Sequence, residues 1–309
     1  MFGYSFLQVI WYFLIYSVLG WCVEVIYCTV NDGKVTNRGY LNGPVCPIYG
    51  FGMVMVLFLL RIAGFSDVTT ASVPILFIGG MVLASAVEFL GGWGLMKLFG
   101  MRWWDYSSRP FNIGGYICLQ FSIVWGLGAV AVIRIVQAPL SRIVENRFFA
   151  GIFMIIVCIA ACIIYLIDFV MTTITVIGLS KRIKELDEIA HKLRMLSDEL
   201  STHIGTGALD IDRRVDETKV QAALGKMELE QKVEELEERA ISVREKLSGG
   251  RLFGAGRIMS AFPELSKVNG FKSIDSMSVH EFVDSHANIS ERAKALKKKY
   301  NDILSNMEK

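Results

Sequence analysis

The sequence has little charge over its first half. Residues 1–179 hold nine Lys and Arg and seven Asp and Glu, whereas residues 180–309 hold 23 of each. That segregation excludes a single soluble domain, whose charges would be spread over its whole surface. Cysteine is missing from the second part. The six in the first part (Cys22, Cys28, Cys46, Cys118, Cys158 and Cys162) lie in or beside apolar runs. This excludes a secreted disulfide scaffold and points to free buried thiols. Cys158 and Cys162, one helical turn apart, suit packing and not a metal site. No Gly-x-x-x-x-Gly-Lys-Ser/Thr run occurs, so ATP hydrolysis would need a separate subunit. The stretch Gly249–Arg257 is glycine-rich but lacks that lysine, and reads as a hinge. There is no nucleophile–base constellation and no zinc-type His/Glu motif, which argues against an enzyme. A net charge of +2, with a tail near neutral, gives no warrant for nucleic-acid binding.

What is present is apolar length. A helix of about 20 residues crosses roughly 30 Å of hydrocarbon. Five stretches qualify as candidates: Phe6–Tyr27, Ile48–Ile62, Val73–Leu98, Tyr116–Ile135 and Phe148–Leu179. The second is short, and part of it reads equally as re-entrant. The start of the chain lacks a basic region and a small-residue cleavage site, so Phe6–Tyr27 is expected to be an anchor and not a removed signal. The fold class predicted is all-α. A membrane domain of about five helices (1–179) precedes a coiled-coil-like region (180–248), a linker (249–287) and an amphipathic helix (288–309). With five spans, Lys34, Arg38, Lys97, Arg102, Arg109 and Lys181–Lys184 share one side. Arg61, Arg134, Arg142 and Arg147 share the other. The larger basic set puts the N-terminus outside and the tail in the cytoplasm.

Three carboxylates fall inside apolar runs: Glu24, Glu88 and Asp168. A charge at membrane depth costs several kcal/mol, roughly, so each is expected to face protein or water. Gly80, Ala84, Glu88 and Gly92 recur every four residues, a small-residue stripe that lets another helix approach. Tyr16, Gly20 and Glu24 form a similar stripe, and Asp168, Thr172 and Thr175 a polar edge. Two readings follow: a polar pathway opening toward the cytoplasm, or interhelical hydrogen bonds by protonated or paired carboxyls.

Two connecting segments are rich in turn-formers and aromatics. In Asn37–Gly52, Pro47 suits the first turn of a helix. In Trp103–Gly115, aromatics favour the headgroup zone, and Asp105 with Arg109 is a candidate pair that locks the loop or binds a polar group. Both loops fall on one side and are expected to meet. Arg38 and Arg109 are then candidate anion contacts, since a guanidinium presents several donors in a fixed fork. Lipid-headgroup anchoring is the competing reading.

Gly20-Trp21 with Glu24, the Asn37–Gly52 run, Trp104-Asp105-Tyr106-Ser107, Pro110-Phe111-Asn112 with Gly115, and Phe121-Ser122 with Trp125-Gly126 carry a family resemblance. Over about residues 6–180 the chain resembles the bacterial ABC-transporter type IV (CmpB-like) family. The resemblance implies an integral, permease-like membrane protein. It brings no substrate and no catalytic residues.

In the tail, Ile183, Leu186, Ala190, Leu193, Ser197, Leu200 and Ile204 alternate by three and four, as do Leu229, Val233, Leu236, Ala240, Val243 and Leu247. The break at Gly205-Thr206-Gly207 allows either an intrachain hairpin or pairing between chains. His280, Glu281, Asp284 and His286 make a poor metal signature, and Lys297-Lys298-Lys299 reads as a solvated face. The expected object is a transport component, without a cofactor, in the lipid bilayer. Its expected partners are a separate ATPase subunit and a second copy. The alternative is a membrane-anchored scaffold or sensor whose tail recruits partners.

Overall fold

A computed structural model describes residues 3–33, 35–207, 215–248, 254–262, 265–267, 295 and 298. The expected C-terminal helix apart from Ala295 and Lys298, the His280–His286 group and residues 249–253 of the glycine-rich stretch lie outside the described residues. So do the side chains of the seam positions Ser197, Leu200, Ile204 and Leu229.

The elements run α1 (Phe6–Asp32), α2 (Pro47–Ile62), α3 (Val73–Phe99), β1 (Met101–Arg102), β2 (Asn112–Ile113), β3 (Ile117–Cys118) and α4 (Leu119–Ala131). A π-helical turn (Val132–Gln137), α5 (Ala138–Val144), α6 (Ile152–Gly207), α7 (Val215–Ser248), α8 (Ala255–Ala261) and β4 (Ser266–Lys267) follow. Four stretches are long and apolar enough to cross a membrane: Phe6–Val30, Val73–Phe99, Leu119–Val144 and Ile152–Leu193. The protein is a multi-pass membrane protein. Ser5 starts α1 with a capping box, its hydroxyl accepting from the Gln8 amide while Gln8 bonds back. Gly33 and Gly100, both left-handed, end α1 and α3. The π turn precedes Pro139, whose missing N–H removes one rung of the helical ladder.

Helix α2 is the exception to the spanning pattern. Its 16 residues extend about 24 Å, short of the roughly 30 Å hydrocarbon core. It runs antiparallel to α1, and the Cys46 amide donates to the Ser17 carbonyl at 2.8 Å. Ser17 lies near the middle of the Phe6–Val30 stretch. Loop 35–46 therefore descends along the bundle to about mid-depth before α2 begins. Gly50 makes the tight approach possible, because a Cβ there would collide with Ser17 and the Phe13 carbonyl.

Two cores organise the molecule. One, at the end of the bundle where α1 begins, gathers Tyr12, Tyr16, Leu57, Leu60, Leu76 and Ile133. The other, at the end where α6 leaves the apolar region, joins Phe99, Met101 and Trp103 to Leu179, Ile183 and Leu186 of α6, Val233 to Leu247 of α7, and Ile258 of α8. Between α6 and α7, Arg239 pairs with Glu185 at 3.3 Å and Arg182 donates to the Lys246 carbonyl at 2.7 Å. The two helices are thus antiparallel within one chain, with Ile183, Leu186, Ala190 and Leu193 facing Val233, Leu236, Ala240, Val243 and Leu247, all buried. Of the two arrangements the tail pattern allows, this is the intrachain hairpin. Strand β4 then pairs antiparallel with β1, Met101 opposite Lys267.

Candidate functional site

Close helix contact builds the first constellation. Gly80 abuts Ala129 so tightly that a Cβ would overlap it, and Ser85 and Ser122 share a buried hydrogen bond of 2.7 Å. This holds α3 against α4 with Glu88 inside, only 7% exposed. Its two oxygens accept from different elements: Oε1 from the Tyr106 hydroxyl at 3.1 Å, and Oε2 from Trp125 Nε1 at 2.9 Å. Tyr106 reaches down from the segment after β1, stacked on Phe121 with 4.9 Å between centroids. Burial, and then the adjoining Glu88 carboxylate, push the Tyr106 phenol far above its ordinary range, so it stays a donor.

Trp125 carries the contact onward. Its ring meets Tyr49 edge-to-face at 5.8 Å, and the Tyr49 hydroxyl donates to Glu24 at 2.5 Å. Tyr49 fills the space over Gly20, where any Cβ would strike its ring. Glu24, Tyr49, Trp125, Glu88 and Tyr106 thus form one chain of contacts across α1, α2, α3, α4 and the loop. Among the described residues, neither glutamate has a cationic partner within salt-bridge distance.

Asp168 belongs elsewhere. Its carboxylate accepts from the Asn42 amide (3.1 Å), the Asn42 side-chain amide (2.9 Å), the Gly43 amide (2.7 Å) and Thr172 (3.2 Å). Four donors occupy one carboxylate, and three of them come from loop 35–46. Irregular backbone at membrane depth persists only where protein satisfies its polar groups. Asp168 supplies the acceptors, and Arg257 of α8 supplies the donors. Nε of Arg257 bonds the Asn42 side-chain oxygen at 2.9 Å, Nη1 the Gly39 carbonyl at 3.0 Å and Nη2 the Tyr40 carbonyl at 2.8 Å. Asn42 relays between the two charges. Burial lowers the Arg257 pKa from its ordinary value, and Asp168 acts against that fall.

The remaining candidates are dispersed. Arg38 donates to the Cys28 sulfur at 3.4 Å, and Arg109 is exposed in the turn closed by its own amide on the Tyr106 carbonyl. No bond between them is found among the described contacts. Asp105 pairs with Arg102 at 2.8 Å, not with Arg109 as its spacing suggested. The reason is local: Asp105 accepts from the Ser107 amide and hydroxyl, a turn that aims the carboxylate back toward Arg102. Desolvation raises the Asp105 pKa, but Ser107 and Arg102 more than offset it, leaving it below the usual carboxylate range. The two loops do meet, through Tyr40 and Trp103 at 5.4 Å and not through the arginines. All six cysteines are free, and among the described residues no three His, Cys, Asp or Glu side chains converge as metal ligands.

Residues 11–173 match the family model described as Putative ABC-transporter type IV. The chain belongs to this family. No curated protein and no solved structure gave a match. The stretch shared with the ABC-transporter type IV family includes Glu24, both loops, Glu88, Trp125 and Asp168, and it ends before α7 and α8. Arg257 is therefore a contribution of this chain's tail to a constellation inside the family region. Reading the sequence missed it, because it stood in a glycine-rich stretch taken for a hinge. The available signal was the loop itself, which carries more carbonyls than its own donors can satisfy.

Proposed function

We propose that the protein is the membrane-embedded component of a transport system, with Glu24 and Glu88 facing the solute or coupling-ion path and Asp168 building the scaffold around it. The observation that carries this is Glu88. It is a carboxylate deep in the bundle, held by two aromatic donors, joined through Trp125 and Tyr49 to a second carboxylate, and without a cation to neutralise it. Unneutralised carboxylates in an apolar bundle are expensive and are retained where charge or protons pass. The protein would not itself be an enzyme. With no phosphate-loop motif in its sequence, ATP hydrolysis falls to a separate subunit. The tail lies in the cytoplasm of the bacterial plasma membrane, and a second copy completes the path.

The test is uptake by vesicles containing the protein, incubated with a mixed pool of small solutes and read by mass spectrometry. Glu88→Gln keeps the side chain's shape and most of its hydrogen bonding. Normal folding with loss of the accumulated solutes supports the pathway. Unchanged accumulation overturns it. A scaffold or sensor is the second reading, favoured by the four protein donors on Asp168, which commit that carboxylate to holding loop 35–46. It expects no solute difference between wild-type and empty vesicles.

A further inference from the structure

Loop 35–46 is an irregular segment that descends beside the apolar helices, and two charged side chains from outside it hold part of its polar backbone. Asp168, on α6, takes its N–H groups. Arg257, on α8, takes its C=O groups at Gly39 and Tyr40, and more distantly at Asn37. The holders differ in kind. Asp168 is fixed in the first third of a 56-residue helix, whereas Arg257 sits on a seven-residue helix entered through Gly254. That helix is kept in place by burial of Ala255, Ile258 and Ala261, by Phe262 against Trp103 at 4.7 Å, and by the two-residue pairing of β4 with β1. Arg257 is 5% exposed and has its guanidinium wholly inside the loop.

We propose that α8 is a latch: seated, its Arg257 locks loop 35–46 against Asp168, and withdrawn, it frees the loop and the start of α2. The consequence runs directly to the glutamates. The loop ends at Cys46, whose amide is bonded to Ser17, and three residues later Tyr49 donates to Glu24. Trp21, beside it on α1, donates to Asn37 at 2.7 Å. Movement of the loop therefore shifts Tyr49, the α2 partner of Glu24, and releases Trp21, three residues before Glu24 on α1. A state of the tail, set by what binds α7 and α8, becomes a state of the bundle. The latch stands on this geometry whether or not the protein transports.

Cys46 is a native reporter. It is 5% exposed at the end of the loop, so its reactivity reports whether the loop opens. The test uses the full chain in phospholipid nanodiscs, treated with N-ethylmaleimide, with each cysteine read separately by mass spectrometry. Wild-type Cys46 should react slowly. In Arg257→Gln it should react at least about tenfold faster, as the thiol gains solvent. Cys158, in the other core, should not change. Arg257→Lys keeps the charge but places one ammonium where three nitrogens served three acceptors, and should give an intermediate, Cys46-selective rise. Ile258→Asp, which displaces α8 with Arg257 intact, should reproduce the release. A Cys46 rate unchanged from wild type in the lysine and Ile258→Asp variants would overturn the latch. A uniform rise at all six cysteines in these variants would overturn it too, since Arg257 would then stabilise the whole fold and not one loop.

Discussion

Replacing Asp168 by alanine removes the acceptor for two backbone amides that have no other partner in reach. Leaving a buried donor unsatisfied costs about 1–3 kcal/mol, so the Asn42 and Gly43 amides together imply about 2–6 kcal/mol. The Thr172 hydroxyl and the Asn42 side chain can turn to each other, being already 2.8 Å apart, and add little. Asp168→Asn keeps one acceptor oxygen and should lose roughly half as much. Thermal unfolding in nanodiscs, followed by tryptophan fluorescence, provides the measurement. At about 2–4 °C per kcal/mol, the alanine variant should melt roughly 4–24 °C below wild type, with asparagine between. Combining it with Asn42→Ala, which leaves both backbone amides in place, should be close to additive, since the one contact the two changes share is the side-chain bond that adds little. If Asp168→Ala melts within about 1 °C of wild type while vesicle uptake is lost, the reasoning fails. Asp168 would then be a pathway group whose four bonds contribute no net stability.

The tail hairpin predicts that Leu236→Asp with Val243→Asp, each placing a charge in the seam against α6, separates α7 from α6. Pulsed electron spin resonance between labels at Glu188 and Glu237 should show a short distance lost. Trp125→Phe removes one of two donors to Glu88 and should lower stability by about 1–2 kcal/mol without abolishing folding. The Asp105 carboxylate should titrate, by carbon-detected magnetic resonance, below the ordinary aspartate value. Since its folded pKa is depressed, its contribution to the Arg102–Ser107 turn is present at neutral pH and is lost as pH falls through that value. A cysteine placed at the exposed Lys298 should resist membrane-impermeant thiol reagents in intact cells and react after lysis, and labelling in intact cells would reverse the orientation.

How much was legible follows from where each interaction's partner sits in the chain. Periodic features were readable: the Gly80 end of the small-residue stripe does pack α3 on α4, with Gly92 under Trp104 and Tyr116, and the three-and-four spacing of Val233 to Leu247 does mark the buried face of α7. These depend only on helical geometry, which the sequence repeats every turn. That Glu88 faces protein was readable, but not its partners Tyr106 and Trp125, 18 and 37 residues away. Asp168 was harder still. Three of its four donors lie 125 and 126 residues distant, and two of those are backbone amides, which leave no side-chain signature. Arg257 completes that arrangement from 215 residues beyond Asn42. Even a local choice misled, since Asp105 lies within reach of both Arg102 and Arg109 and the Ser107 turn decides between them.

One constraint does connect these misses. In a bilayer every backbone group must find a partner, so a short apolar helix such as α2, preceded by a loop containing Gly39, Gly43 and Pro44, implies a descending segment in want of an anion and a cation. The bundle region offers the anion in Asp168. Of its arginines, Arg61 and Arg134 serve the opposite end, where they hold the Ser66, Thr69 and Ala71 carbonyls. Arg102 is taken by Asp105, and Arg38 by the Cys28 sulfur. The missing cation thus comes from outside the family-matched stretch, from the tail. This division is the physical reason to expect that the bundle and its tail act as one device: the loop that determines where α2 begins is satisfied only while both are in contact with it.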